Sequence, residues 1–96
     1  MTTLQTGPAE AGIAGMLRRL EEQVGPDDRN LLIAWVSIPN RPDCSAEVIG
    51  LMGRYGARLN RVVGLVDAAR EAVGLRYDVF QPALCAHLGI PDPNVG

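Results

Sequence analysis

Between Val48 and Val73 apolar residues return at alternating steps of four and three: Val48, Met52, Tyr55, Leu59, Val62, Val66, Ala69 and Val73. A strand turns successive side chains to opposite faces with period two, so this spacing is helical. No proline lies between Pro42 and Pro82 to interrupt it. A stripe of this kind has to lie against another helix, from the same chain or from a partner.

The cost of this helix is its glycine content. Gly50, Gly53, Gly56 and Gly64 fall inside it, each less favourable than alanine by about 1 kcal/mol in a helix interior. A break at Gly56, a C′ position after Arg54 and Tyr55, would divide the stretch into two helices joined by a tight turn. The heptad phase runs straight across Gly56, however, and a turn usually resets it. The expectation is therefore one long central helix, bent, with glycines that admit another backbone closely.

Shorter elements surround it. Pro8 suits a first helical turn, and Ile13, Leu17, Leu20 and Val24 repeat at helical spacing opposite Arg18, Arg19, Glu21 and Glu22. This predicts an amphipathic helix over 8–24, ended by Gly25-Pro26. Residues 31–38 are apolar enough for a buried strand or a short helix capped by Asp27 or Asp28. A lone strand would leave its backbone groups without partners, which favours the helix. Pro39 to Asp43 reads as an exposed loop, with Ser45 and Glu47 opening the long helix. Gly74 ends it, and a last short helix follows, capped by Asp78 or Gln81. Pro82 would lie in its first turn, and Gly89 and Ile90 would form a Schellman ending. The fold class is all-α: a small bundle of three to four helices in a single domain over 1–96, with a flexible arm at 1–7 and a flexible tail at 91–96.

Ninety-six residues suit one domain. The hydrophobic fraction is 47%, too high for a disordered chain. Aromatics at 4% leave the core to aliphatic side chains and alanine. All nine basic residues are arginine, which with abundant alanine, glycine and valine suggests a high-GC bacterial genome or one of its phages. The first residues lack the basic patch and apolar segment of a signal peptide. The longest apolar run, Leu31 to Val36, is far short of the roughly 20 residues that span a bilayer. A cytoplasmic protein without a membrane segment is the expectation, and Cys44 and Cys85 should then be reduced, buried small hydrophobes.

No motif carries unambiguous chemistry. Cys85 and His87 form the C-x-H arrangement of the chain, but two residues apart on a helix they point about 200° from each other. Zinc spacings, a P-loop, a dinucleotide-binding glycine fingerprint and a G-x-S-x-G elbow are missing. The expectation is a protein that is not an enzyme and takes no cofactor or metal.

The concentrated charge is Arg54, Arg58 and Arg61 on one helical face, in a stretch with no acid between Glu47 and Asp67. It reads either as a partner-binding patch or as a solvated face paired with the acidic first helix through Glu21 or Glu22. Residues 46–65 also have a faint helix-turn-helix spacing that would place Arg58, Asn60 and Arg61 toward bases, provided that the chain breaks at Gly56. Trp35 and Tyr55 read as packing residues ahead of interface anchors. The function expected is binding to another protein or to itself, as an adaptor, inhibitor or assembly subunit. The alternative is a nucleic-acid-binding regulator using Arg54, Arg58, Asn60 and Arg61.

Overall fold

A computed structural model describes residues 8–95. The arm expected at 1–7 lies outside the described residues, as does Gly96. Five α-helices follow in order among the described residues: α1 (Pro8–Val24), α2 (Arg29–Val36), α3 (Ser45–Tyr55), α4 (Ala57–Ala72) and α5 (Tyr77–Leu88). Short 3-10 turns at Pro26–Asp28 and Pro42–Cys44 lead into α2 and α3. The segment 31–38 is helical through Val36, so the ambiguity between strand and helix resolves to helix.

The single long helix is corrected. Gly56 adopts φ 54 and ψ −120, a backbone conformation for glycine alone, and divides the seam into α3 and α4. The heptad phase survived this break for a physical reason. The Gly56 N–H still donates to the Met52 carbonyl at 2.9 Å, and its own carbonyl accepts from the Asn60 N–H at 3.1 Å. Both bonds keep the helical spacing of four, so the residue count is not reset while the chain direction changes. The bundle accordingly has five helices in place of three or four.

A Cβ at Gly56 would meet nothing within 4 Å among the described residues. The cost of Gly56→Ala is therefore all backbone, and it is expected to destabilise by about 1–3 kcal/mol. Gly53→Ala, inside regular helix with equally open space, is expected to stabilise by up to about 1 kcal/mol. Urea denaturation of the two variants should give opposite signs. Two losses of similar size would mean that Gly56 is not a hinge.

Half of the seam is buried and half is not. Leu59, Val62, Val66 and Ala69 of α4 join Leu17, Leu20 and Val24 of α1, Leu31, Leu32 and Val36 of α2, and Phe80, Leu84, Cys85 and Leu88 of α5 in one core. α1 runs along α4, and α2 packs on both α4 and α5. α3 has no buried residue among those described; Val48, Leu51 and Tyr55 are half-buried, and Ile49 and Met52 are exposed at 69% and 38%.

Helix ends follow the glycines. Gly74 and Gly89 take positive φ, and the bonds from Leu75 N–H to Arg70 O and from Ile90 N–H to Cys85 O close Schellman endings on α4 and α5. The start of α5 differs from expectation. It begins at Tyr77, where the Val79 and Phe80 N–H groups both reach the Arg76 carbonyl, so Pro82 falls in the second turn. The carbonyl that loses its donor there is that of exposed Asp78, which water can serve.

Gln81 is not a cap for α5. It is fully buried, and its Nε2 donates to the Val36 and Ile38 carbonyls at 2.9 and 3.0 Å, closing the C-terminal end of α2. Its Oε1 accepts from Asn94 Nδ2 at 2.7 Å, and Asn94 Oδ1 accepts from the Asn40 N–H at 2.8 Å. Residues 91–95, expected as a tail, are thus tied through Asn94 to α5 and to the loop before α3.

Candidate functional site

Helical geometry of 100° per residue gives α3 three exposed strips outside its packed side. Val48, Leu51 and Tyr55 face the body of the protein. One edge of the remaining surface carries Ile49 and Met52, the outermost line carries Ala46, Gly50 and Gly53, and the other edge carries Glu47 and Arg54. All seven of these outer residues are exposed. A Cβ at Gly50 or Gly53 would meet nothing within 4 Å among the described residues, so the close backbone approach expected of these glycines does not occur within the chain.

Each edge borders a depression. Beside the apolar edge lies a cleft of about 300 Å³, where Val48 and Ile49 face Trp35, Ile38, Pro39 and Tyr77. Beside the charged edge a shallower one is formed by Glu47, Gly50, Leu51 and Arg54 with Ala34 and Ile38 of the α2 end. Trp35 is half-buried and forms a wall of the cleft, so it is neither a fully enclosed packing residue nor a free anchor.

Tyr77 completes that cleft. Burial, with smaller contributions from the negative charges of the Cys85 thiolate and Asp67, pushes its phenol up to about 12. The folded protein therefore keeps a proton that the unfolded chain releases near its ordinary value of 10.0. The sign follows from linkage: stability from this group is complete below about pH 10 and is lost as pH rises toward 12. Tyr77→Phe is expected to flatten this alkaline limb in urea denaturation across that range. An unchanged limb would assign it to other groups.

The arginines expected to form one patch divide between two surfaces. Arg54 is exposed on α3 and makes no ion pair among the described residues. Asn60 is exposed on the first turns of α4. Arg58 and Arg61 turn back onto the junction of α1 and α2. Arg58 Nε donates to Asp28 Oδ1 at 3.0 Å, and Arg61 Nη1 donates to Asp28 Oδ2 at 3.1 Å. Arg61 also reaches the carbonyls of Gln23 and Val24, which serves the open end of α1. The hydrogen bond to Asp28 is the main cause that raises the Arg58 pKa further.

Asp28 has the position of a cap for α2, yet its side chain makes no cap bond; its carboxylate, 13% exposed, is taken by the two arginines. The acid that pairs with the arginines is therefore Asp28 in place of Glu21 or Glu22. Arg58→Glu with Arg61→Glu would set two carboxylates against it. A lower Tm is expected, with Arg54→Glu as the unaffected control in the same thermal melt. Equal Tm values would show that these contacts contribute nothing.

The remaining chemical groups serve the bundle. Glu21 accepts from Arg29 Nε at 2.8 Å and lies 2.9 Å from His87 Nε2, joining α1, α2 and α5. The Arg29 hydrogen bond holds the Glu21 carboxyl below the usual carboxylate range, against burial, with His87 assisting. Cys44 and Cys85 are buried free thiols. Cys85 Sγ lies 3.6 Å from the Val36 carbonyl, and burial, aided by Asp92, pushes its pKa up. No cluster of three metal-ligating side chains occurs among the described residues, and no helix there is long and apolar enough to cross a membrane. No family model, curated protein or solved structure matches the chain.

Proposed function

We propose that the chain is a small non-catalytic protein of the cytoplasm that works by binding another protein or a second copy of itself, as an adaptor, inhibitor or assembly subunit. Its binding element is the exposed face of α3 with the adjoining cleft. The observation that carries this reading is the contrast between the two helices that Gly56 separates. α4 buries Leu59, Val62, Val66 and Ala69, whereas α3 buries no side chain fully and leaves Met52 of the seam and its neighbour Ile49, outside the seam, exposed beside an apolar cleft. An apolar strip bordered by charge is the usual composition of an interface core and its rim.

The test uses the full chain, immobilised, as wild type and as Ile49→Asp/Met52→Asp, with extract of the native host. Circular dichroism should be the same for both, because neither side chain is in the core. A protein retained by wild type and lost by the variant supports the reading. Identical retention by both overturns it.

Nucleic-acid binding through Arg54, Arg58, Asn60 and Arg61 is the second reading, favoured by the break at Gly56. Against it, the single-residue hinge is shorter than the usual turn of three to four residues, and Asp28 neutralises part of the charge. Binding of this kind would weaken steeply between low and moderate salt. A duplex or single strand that binds without that salt dependence, or does not bind, removes it.

A further inference from the structure

We propose that the occupant of the α3 face is a second copy of this chain, docked antiparallel, α3 against α3. This rests on the reading of α3 as the binding element and names its partner. The argument is the order of side chains along the two edges. On the apolar edge, Ile49 and Met52 are equidistant from a point between Gly50 and Leu51. On the charged edge, Glu47 and Arg54 are equidistant from that same point, two turns apart, and both are exposed. Neither makes an ion pair among the described residues.

A twofold axis through that point reverses the helix direction and leaves each edge on its own side. It therefore brings Ile49 against Met52 of the second copy and Glu47 against Arg54 of the second copy, and each contact recurs by symmetry. Parallel pairing about an axis along the helices would instead set the charged edge of one copy on the apolar edge of the other. Glu47 and Arg54 would then meet Ile49 and Met52, which desolvates charge without pairing it. The strip is thus self-complementary in one orientation only. Between the edges, Gly50 and Gly53 present no side chain, and the space over them is open among the described residues.

The size of the contact sets its strength. An 11-residue helix is about 16 Å long, so the pair buries less than the roughly 800 Å² per partner of a standard stable interface. Contacts of this small size belong to the weak, transient class, so an affinity of about micromolar or weaker is expected.

Sedimentation equilibrium of the full chain from about 10 μM to about 1 mM tests the proposal. Wild type is expected to pass from monomer to dimer across this range. Glu47→Arg sets like charges opposite Arg54 of the second copy, Arg54→Glu does the same to Glu47, and each should weaken dimerisation by about tenfold or more. The chain carrying both substitutions restores opposite charges across the axis and should return to within about threefold of wild type. Circular dichroism of each variant checks that α3 stays helical, and Ile49→Asp should abolish the dimer independently of the charged edge. A monomer at every concentration, a dimer indifferent to the single reversals, or a double variant that fails to recover overturns the proposal. A monomeric wild type that nevertheless retains a host protein, lost in Ile49→Asp/Met52→Asp, overturns the second copy while leaving α3 as the binding element.

Discussion

Phe80→Ala is expected to lower the free energy of unfolding by about 3–5 kcal/mol. Phe80 is fully buried and is the largest side chain in the shared core of α1, α2, α4 and α5. Truncation removes both its transfer free energy and the contacts of the wall around it, and a core of aliphatic side chains in fixed rotamers closes the void only partly. A loss of this size is a large share of the total for a domain of this length, which is about 5–15 kcal/mol. Met52→Ala, on the exposed edge of α3, should cost under about 0.5 kcal/mol. Urea denaturation with unchanged slopes checks both. A Phe80 effect under about 1 kcal/mol would mean that the cavity collapses freely and that α5 is not packed as described.

Gln81→Leu has the second largest expected effect, about 2–4 kcal/mol. The substitution keeps the apolar volume but removes the amide that serves the Val36 and Ile38 carbonyls and holds Asn94. Carbonyls at a helix end that are closed off from water lose more by standing unmade than an average hydrogen bond contributes. Asn94→Ala removes only the outer link, which is partly exposed, and should cost about 1 kcal/mol. Near-equal losses for the two variants, or a neutral Gln81→Leu, would show that water replaces the amide.

The parts of the fold that depend on local chemistry were legible in the sequence. The bounds of α1 follow from Pro8 and Gly25, and the endings at Gly74 and Gly89 follow from glycine's access to positive φ. The helix at Arg29–Val36 follows from the want of a partner strand. The break at Gly56 was not legible from the seam, because a hinge that keeps its hydrogen bonds four residues apart preserves the hydrophobic count. The signal for it lies in the glycine alone, since glycine takes the positive φ of that position at no steric cost. The partners of Arg58 and Arg61 were hidden for another reason. An aspartate just before a helix looks the same in sequence whether it caps that helix or pairs with a residue 30 positions away, as Asp28 does. The role of Gln81 is hidden likewise, since a polar residue next to a proline resembles a helix start in sequence whether or not it is buried. For the candidate surface, the seam gave Met52 but not Ile49, which lies outside it, because only packing shows which apolar side chains of α3 are left exposed.

The sparse burial of α3 also bears on how the native state fluctuates. Amide hydrogen exchange through local opening has a free energy set by what each segment buries. α4 contributes four core residues, whereas α3 contributes none among those described and is joined to α4 through one glycine. Held to the core by the half-buried Leu51 and Tyr55 alone, α3 is therefore expected to open at a lower free energy than α4 and α5, which native-state exchange would show. Whatever docks on it binds the closed helix alone, so occupancy raises the protection of its amides by mass action. The exchange pattern of residues 46–55 thus reports binding at this surface, whether or not the partner has been identified.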